Sequence, residues 1–275
     1  MKKGTRLIIV MLIIISVLSV GVYASEEKYT ETNGVKLYTI SDTQVQGFVD
    51  IQGETTKNNI KLMVVRSNEQ IWYDVKLENG KFSQKLWLNS GKGRYTVHVM
   101  VNEYDRKYSF GPKITVGNVK EINALLAPEK HIESMDKPIM DKAAEITKGL
   151  TSDREKAKAI YKWVSENIDY DYAKYSKHLN NDYDNEYGAL LALNTKNGVC
   201  YDYATLVAAL GRAYGLQTKL IKGTGEINGI VGYHAWNEIY IADEDKWINM
   251  DTTFAAVSSE NYFDSENFDE SHTAE

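Results

Sequence analysis

The chain opens with a nearly unbroken apolar run, residues 7–22, behind the short positive segment that holds Lys2, Lys3 and Arg6. Val22 and Ala24 stand where a signal-cleaving enzyme expects small residues, the pattern of a secretory signal. The run falls slightly short of the ~17–25 residues that span a bilayer. Residues 1–24 are therefore expected to be removed, with an uncleaved anchor helix as the other reading. From about residue 29 to 117 apolar and polar positions alternate with period two, as in 44–51, 60–65, 81–88 and 95–101. Turn signals such as Glu78-Asn79-Gly80 and Asn89-Ser90-Gly91 separate the runs, so short strands are predicted. Their spacing predicts a small β-sandwich of the immunoglobulin-like kind over residues 25–117.

Beyond residue 118 the period changes. Pro138 suits the first turn of a helix running to about Gly149, and Ser152 with Glu155 forms a capping-box pattern ahead of a second helix. In that helix Ala157, Ile160, Tyr161, Val164 and Ile168 recur on one face, which reads as core packing. The stretch 198–204 leads into a third helix whose buried stripe is Leu206, Val207, Leu210 and Tyr214, closed by Gly215. Strands are predicted at 219–223, 232–241 and 246–251, with an Asn228-Gly229 turn between the first two. Residues 118–275 thus read as an α+β domain. Its acidic tail carries no Lys or Arg beyond Lys246 and has two readings, a frayed end or a cover over the hairpin.

Composition narrows the function classes. With 43% apolar and 25% charged residues the chain is ordinary globular protein. A net charge of −6 and the lack of a basic stripe exclude nucleic acid as a partner. A membrane enters only through an uncleaved leading segment. The tyrosine-dense connection 170–187 contains an oxygen-rich run at 180–186, but this lacks the Gly and closing Glu of a calcium-binding loop and reads as solvated. The five histidines show no ligand pair at helical or hairpin spacing. No metal or cofactor is expected.

The single cysteine, Cys200, is the pivot. An unpaired thiol in an exported chain is either buried and inert or chemically employed. Cys200 falls at the first turn of the third helix, where free N–H groups and the macrodipole favour a thiolate, so a depressed thiol pKa is predicted. Gly198 allows a tight turn and close approach of a substrate backbone. On the strands, His234 shares a face with Trp236, Glu238 and Tyr240, and Asp251 shares one with Trp247 and Asn249. A tight turn centred on Ala242-Asp243 sets His234 opposite Asp251, whereas a five-residue loop over 242–246 displaces them by three positions. Asp251 could equally cap the Thr252-Thr253 segment, and Asp202 reads as a helix cap.

Three blocks in order, Gly198-Val199-Cys200-Tyr201-Asp202-Tyr203-Ala204, Tyr233-His234-Ala235-Trp236-Asn237-Glu238 and Trp247-Ile248-Asn249-Met250-Asp251-Thr252-Thr253, resemble the motifs of the transglutaminase-like superfamily, as found in secreted bacterial proteins. The resemblance covers about residues 120–260. It implies an α+β fold with a papain-like core after the sandwich, and a catalytic triad of Cys200, His234 and Asp251. In that reading the thiol attacks an amide carbonyl, the imidazole moves the proton, and the carboxylate fixes the tautomer. The backbone N–H of Cys200 is the candidate oxyanion donor, and Trp236 and Tyr201 are the candidate substrate-binding residues. A protein or a peptidoglycan peptide is the expected substrate, outside the cytoplasmic membrane, with the thioester resolved by water or by an amine. The competing reading is a catalytically silent module that binds surface or wall polymer.

Overall fold

A computed structural model describes residues 28–275 apart from Ser259; the expected signal segment 1–24 lies outside the described residues. The N-terminal strands are β1 (Tyr29–Thr32), β2 (Val35–Tyr38), β3 (Gln44–Val45), β4 (Phe48–Thr55), β5 (Ile60–Arg66), β6 (Glu69–Asp74), β7 (Lys81–Trp87), β8 (Gly93–Tyr104) and β9 (Lys107–Asn118). They form two sheets, ordered β1-β2-β4-β7 and β3-β9-β8-β5-β6. Alternate side chains of both sheets, among them Leu37, Ile51, Leu62, Leu86, Val97 and Val99, interlock as one apolar core.

The segment 44–51 is not the single strand its alternation predicts. Gly47 sits at φ 94, a conformation that side chains resist. There the chain leaves β3, which runs parallel to β9, and crosses to the opposite sheet as β4. Beside this crossover, where the Leu88 N–H donates to the Gly47 carbonyl, the Tyr95 hydroxyl donates to the carbonyl of Gly91 (2.7 Å) and lies 3.1 Å from that of Leu88, which pins the turn between β7 and β8. A tyrosine bonded back across such a corner is an immunoglobulin-like feature.

The rest of the chain is built from α1 (Lys137–Ile146), α2 (Asp153–Asn167), β10 (Asp169–Tyr170), α3 (Tyr172–Leu179), α4 (Ala189–Thr195), β11 (Asn197–Gly198), α5 (Cys200–Ala213), β12 (Thr218–Ile227), β13 (Ile230–Ile241), β14 (Lys246–Met250), α6 (Thr252–Ser258), α7 (Phe268–Ser271) and β15 (His272–Ala274). Pro138 opens α1, and the Ser152–Glu155 capping box closes the start of α2. Helix α5 is buried on every side from Asp202 to Arg212, so it is a central helix rather than one with a single apolar stripe. Tyr214, expected in that stripe, is exposed, and Lys156 lies over its ring.

One antiparallel sheet, ordered β14-β13-β12-β15, packs against α5. Asn228 (φ 52) and Gly229 (φ 76) make the two-residue turn joining β12 to β13, both in the left-handed conformation that suits a twisted hairpin. The acidic tail is no frayed end. It returns as β15 along β12, with Gly225 opposite His272 and Gly223 opposite Ala274.

Candidate active site

The sheet register settles the relation between His234 and Asp251. β13 and β14 pair Asn237 with Met250 and Ile241 with Lys246, leaving a four-residue connection between the two expected alternatives. Extending that register puts Asp251 across from Trp236, one pleat away from His234 on the same face. That diagonal is within reach of long side chains. The His234 Nε2 and the Asp251 Oδ2 lie 2.7 Å apart, both side chains buried. A carboxylate only accepts, so in the neutral ring the proton sits on Nε2 and Nδ1 keeps its lone pair.

Asp251 carries both roles the sequence left open. Its Oδ1 accepts the N–H groups of Thr253 (2.8 Å) and Phe254 (3.1 Å), which caps α6. Its Oδ2 serves His234. Burial by itself would raise the carboxyl pKa, but the charge of His234 and hydrogen bonds from His234 and His272 outweigh it and hold the group at about 2. The imidazole of His234 is stacked on Phe254, ring centres 4.1 Å apart. Gly225 makes room for this stack, since a Cβ there would lie 2.8 Å from both rings.

His272 is the residue that sequence reasoning missed. Its Nε2 donates to the same Asp251 oxygen at 3.1 Å, and its Nδ1 lies 3.0 Å from the Phe268 carbonyl and 2.9 Å from the Ser271 hydroxyl. The ring is stacked on Phe268 and meets the edge of Trp236. No spacing rule links positions 251 and 272. Only the β12–β15 pairing brings them together, and the hydrogen-bonding histidine in an acidic tail was the one faint signal. His234, Asp251 and His272 place their ligand atoms within 4.8 Å of one another, the donor set of a metal site. Here both imidazoles spend Nε2 on one carboxylate oxygen, which is the geometry of a shared hydrogen-bond acceptor.

Cys200 starts α5, packed with Ala204, Ala235 and the partly buried Tyr201 and Leu220. The depressed pKa expected at a helix start is not found. Burial pushes the thiol up to about 12, Asp251 adds to the rise, and backbone hydrogen bonds from Ala235 and Tyr201 oppose it. Desolvation of a sulfur anion outweighs half a charge of helix dipole. The thiol is nevertheless at the wall of a cleft of about 470 Å³ that His234 also lines. Tyr170, Tyr172, Tyr175 and Tyr183, from the tyrosine-dense connection, form the facing wall, three of them on or beside α3.

Behind the cysteine lies a buried ion pair. Lys174 Nζ reaches Asp202 Oδ2 at 2.7 Å and donates to the Glu186 carbonyl, while Asp202 accepts the N–H groups of Val199 and Gly188. Asp202 therefore caps α5, as expected, and also fastens α3 and the 186–188 chain to it. Gly198 is required for this packing: a Cβ there would stand 2.6 Å from the Asp202 Cβ. The two expected substrate-binding residues lie elsewhere. Trp236 is buried against His272 and Phe268, and the Tyr201 hydroxyl meets His131 Nδ1 at 3.2 Å; neither lines the cleft.

Comparison with known proteins finds one family match. A model described as the transglutaminase-like superfamily matches residues 141–252. No curated protein matches the chain. Among solved structures the chain is similar to a candidate cysteine protease from Cytophaga hutchinsonii, at 18% identity over 86% of this chain and 83% of that one, TM-score 0.41. It is also similar to the periplasmic domain of TgpA from Pseudomonas aeruginosa, at 13% identity over 74% and 92%, TM-score 0.37. A third is red sea bream transglutaminase, at 11% identity over 81% and 50%, TM-score 0.30.

Proposed function

We propose, from the match of residues 141–252 to the transglutaminase-like superfamily, that the chain is a cysteine acyl-transfer enzyme acting on protein or cell-wall peptide amides. One observation carries the reading: Cys200 and His234 line the same cleft while the far nitrogen of His234 is tied to a buried, ionised Asp251. In the first half-reaction the Cys200 proton passes to His234 Nδ1 as the sulfur attacks the amide carbon. The S–C bond forms, the C–N bond breaks, and the imidazolium returns the proton to the departing amine. The product is a thioester on Cys200. Water or an amine then attacks the thioester carbon, gives a proton to His234, and releases the thiol. Asp251 stabilises the imidazolium formed in each half.

The raised thiol pKa shapes the first step. The sulfur is not a standing thiolate; its charge appears together with that of the imidazole, in a site where the backbone N–H groups of Ala235 and Tyr201 already face it. We favour hydrolysis over cross-linking. We also propose that the enzyme works outside the cytoplasmic membrane, after loss of residues 1–24, which amino-terminal sequencing of the exported protein would check.

A mild thiol alkylator tests the mechanism. Stoichiometric labelling of native Cys200, lost in His234→Ala, supports the enzyme; a thiol silent until denaturation supports the silent module. Mass spectrometry of glutamine-containing peptides incubated with the protein, with and without a primary amine, separates the outcomes. Cleavage or deamidation products mean hydrolysis, and an added amine mass means cross-linking.

A further inference from the structure

Strand β13 is covered unevenly. β12 pairs with it along its whole length, from Ile230 to Ile239 and beyond through Gln217, while β14 pairs only with Asn237 to Ile241. In an antiparallel strand the N–H and C=O of one residue point to the same side, and successive residues alternate. The Tyr240 N–H donates to the Gln217 carbonyl, so even-numbered residues face β12. Odd-numbered residues face the β14 side. The two-residue turn agrees, because its closing pair, Ile227 and Ile230, is the hydrogen-bonded kind.

On that second side the odd positions form a line. Residues 237 to 241 meet β14, the Ala235 N–H meets the Cys200 sulfur, and Tyr233 and Val231 follow. Among the described residues no strand pairs with these last two on that side, and both are well exposed. Four backbone groups therefore stand unused in direct continuation of the N–H at the nucleophile. An unpaired, exposed edge of this sort accepts an added strand.

The side chains define what that strand can be. In a chain that is 25% charged, the cleft is lined by no Asp, Glu, Lys or Arg. Its rim instead exposes Tyr172, Leu179, Ile230, Val231 and Tyr233. A charged substrate side chain would lose water here without finding a counter-ion, whereas an aromatic or aliphatic one would cover apolar surface.

We infer that the substrate is an extended, uncharged polypeptide segment rich in aromatic and aliphatic residues, which docks as an extra strand along Val231–Tyr233 and thereby carries its amide to Cys200. The inference rests on the acyl-transfer reading and sharpens it, since it turns away from the charged stem peptides of cell walls and towards protein.

The test is binding to the full chain carrying Cys200→Ala, which cannot turn over. The probe is an end-blocked heptapeptide of Val, Thr and Tyr around a central Gln, titrated by calorimetry. Replacing its flanking residues with Lys or Glu should weaken binding at least ~10-fold, as expected for an uncompensated charge. Methylating its backbone amides one at a time should weaken binding at every second position only, the signature of strand pairing. Val231→Pro removes one free-edge N–H and no bond of the β12 ladder; it should weaken the peptide roughly 3- to 10-fold, the loss of one hydrogen bond, with an unchanged melting temperature. Equal binding of the charged peptides, or a methylation scan without alternation, overturns the inference. Native alkylation of Cys200 that depends on His234 would then still stand, so failure here and failure of the enzyme reading remain distinguishable.

Discussion

The sandwich and the cleft-bearing domain are both well packed, yet they treat buried polar groups in opposite ways. Among the described residues Asn118 is the one buried polar residue of the sandwich. It is fully engaged, accepting the Gly47 N–H and donating to the carbonyls of Gly91 and Lys120. The second domain buries Lys174, Asp202, Arg212, His234, Asp251 and His272. Burying an ionisable group costs several kcal/mol unless partners replace its water. A region that carries six of them is therefore organised around a network of polar partners, whereas the sandwich is organised around apolar area.

Four experiments break or sharpen that contrast. The largest effect is expected from Lys174→Met, which leaves Asp202 buried and uncompensated; about 3–5 kcal/mol of stability should be lost. Two-transition denaturant unfolding should show the loss in the second domain alone. A shift in the sandwich transition would mean that the domains are coupled. Next, His272→Ala removes a charge-assisted hydrogen bond to Asp251, roughly 1.5–3 kcal/mol. A 10- to 100-fold fall in kcat with KM unchanged is expected, and His272→Gln, which retains a donor, should recover most of it. Activity of the Ala variant equal to wild type would reduce His272 to a packing residue.

Third comes pH. A carboxyl whose folded pKa lies below its unfolded value adds stability that is complete above the unfolded value and is lost as pH falls through the folded one. For Asp251 that window runs from 3.8 down to about 2. The second domain should lose roughly 2 kcal/mol across it. In Asp251→Asn this part of the pH dependence should vanish, and its persistence would assign the loss to other carboxylates. The smallest effect belongs to the sandwich: Tyr95→Phe forfeits the corner hydrogen bonds, about 1 kcal/mol, and should leave turnover untouched.

Much of this architecture was legible in the sequence because it is local. The period-two strands, the Ser152–Glu155 cap, the Asn228-Gly229 turn and the helix that begins at Cys200 all depend on neighbours within a few residues. The misreadings have equally physical causes. The stretch 44–51 alternates like one strand, but only the sheets themselves show that Gly47 sends its halves to different partners. The run 180–186 is largely exposed, as expected of a solvated loop, but the helix ahead of it was not foreseen: the Lys174–Asp202 pair pulls that helix onto α5 and turns Tyr172 and Tyr175 into a cleft wall. Trp236 sits beside His234 in the sequence but shares its face of the strand, so it is consumed by packing on His272.

By itself the sequence determined the elements, the order of Cys200, His234 and Asp251, and which strand face each of the last two occupies, since these follow from backbone periodicity and turn chemistry. Tertiary structure decided the rest: the diagonal register joining His234 to Asp251, the arrival of His272 on β15, the burial that raises the Cys200 thiol, and the uncharged cleft with its open strand edge. Those properties depend on which distant surfaces exclude water together, and no periodicity in one dimension encodes that.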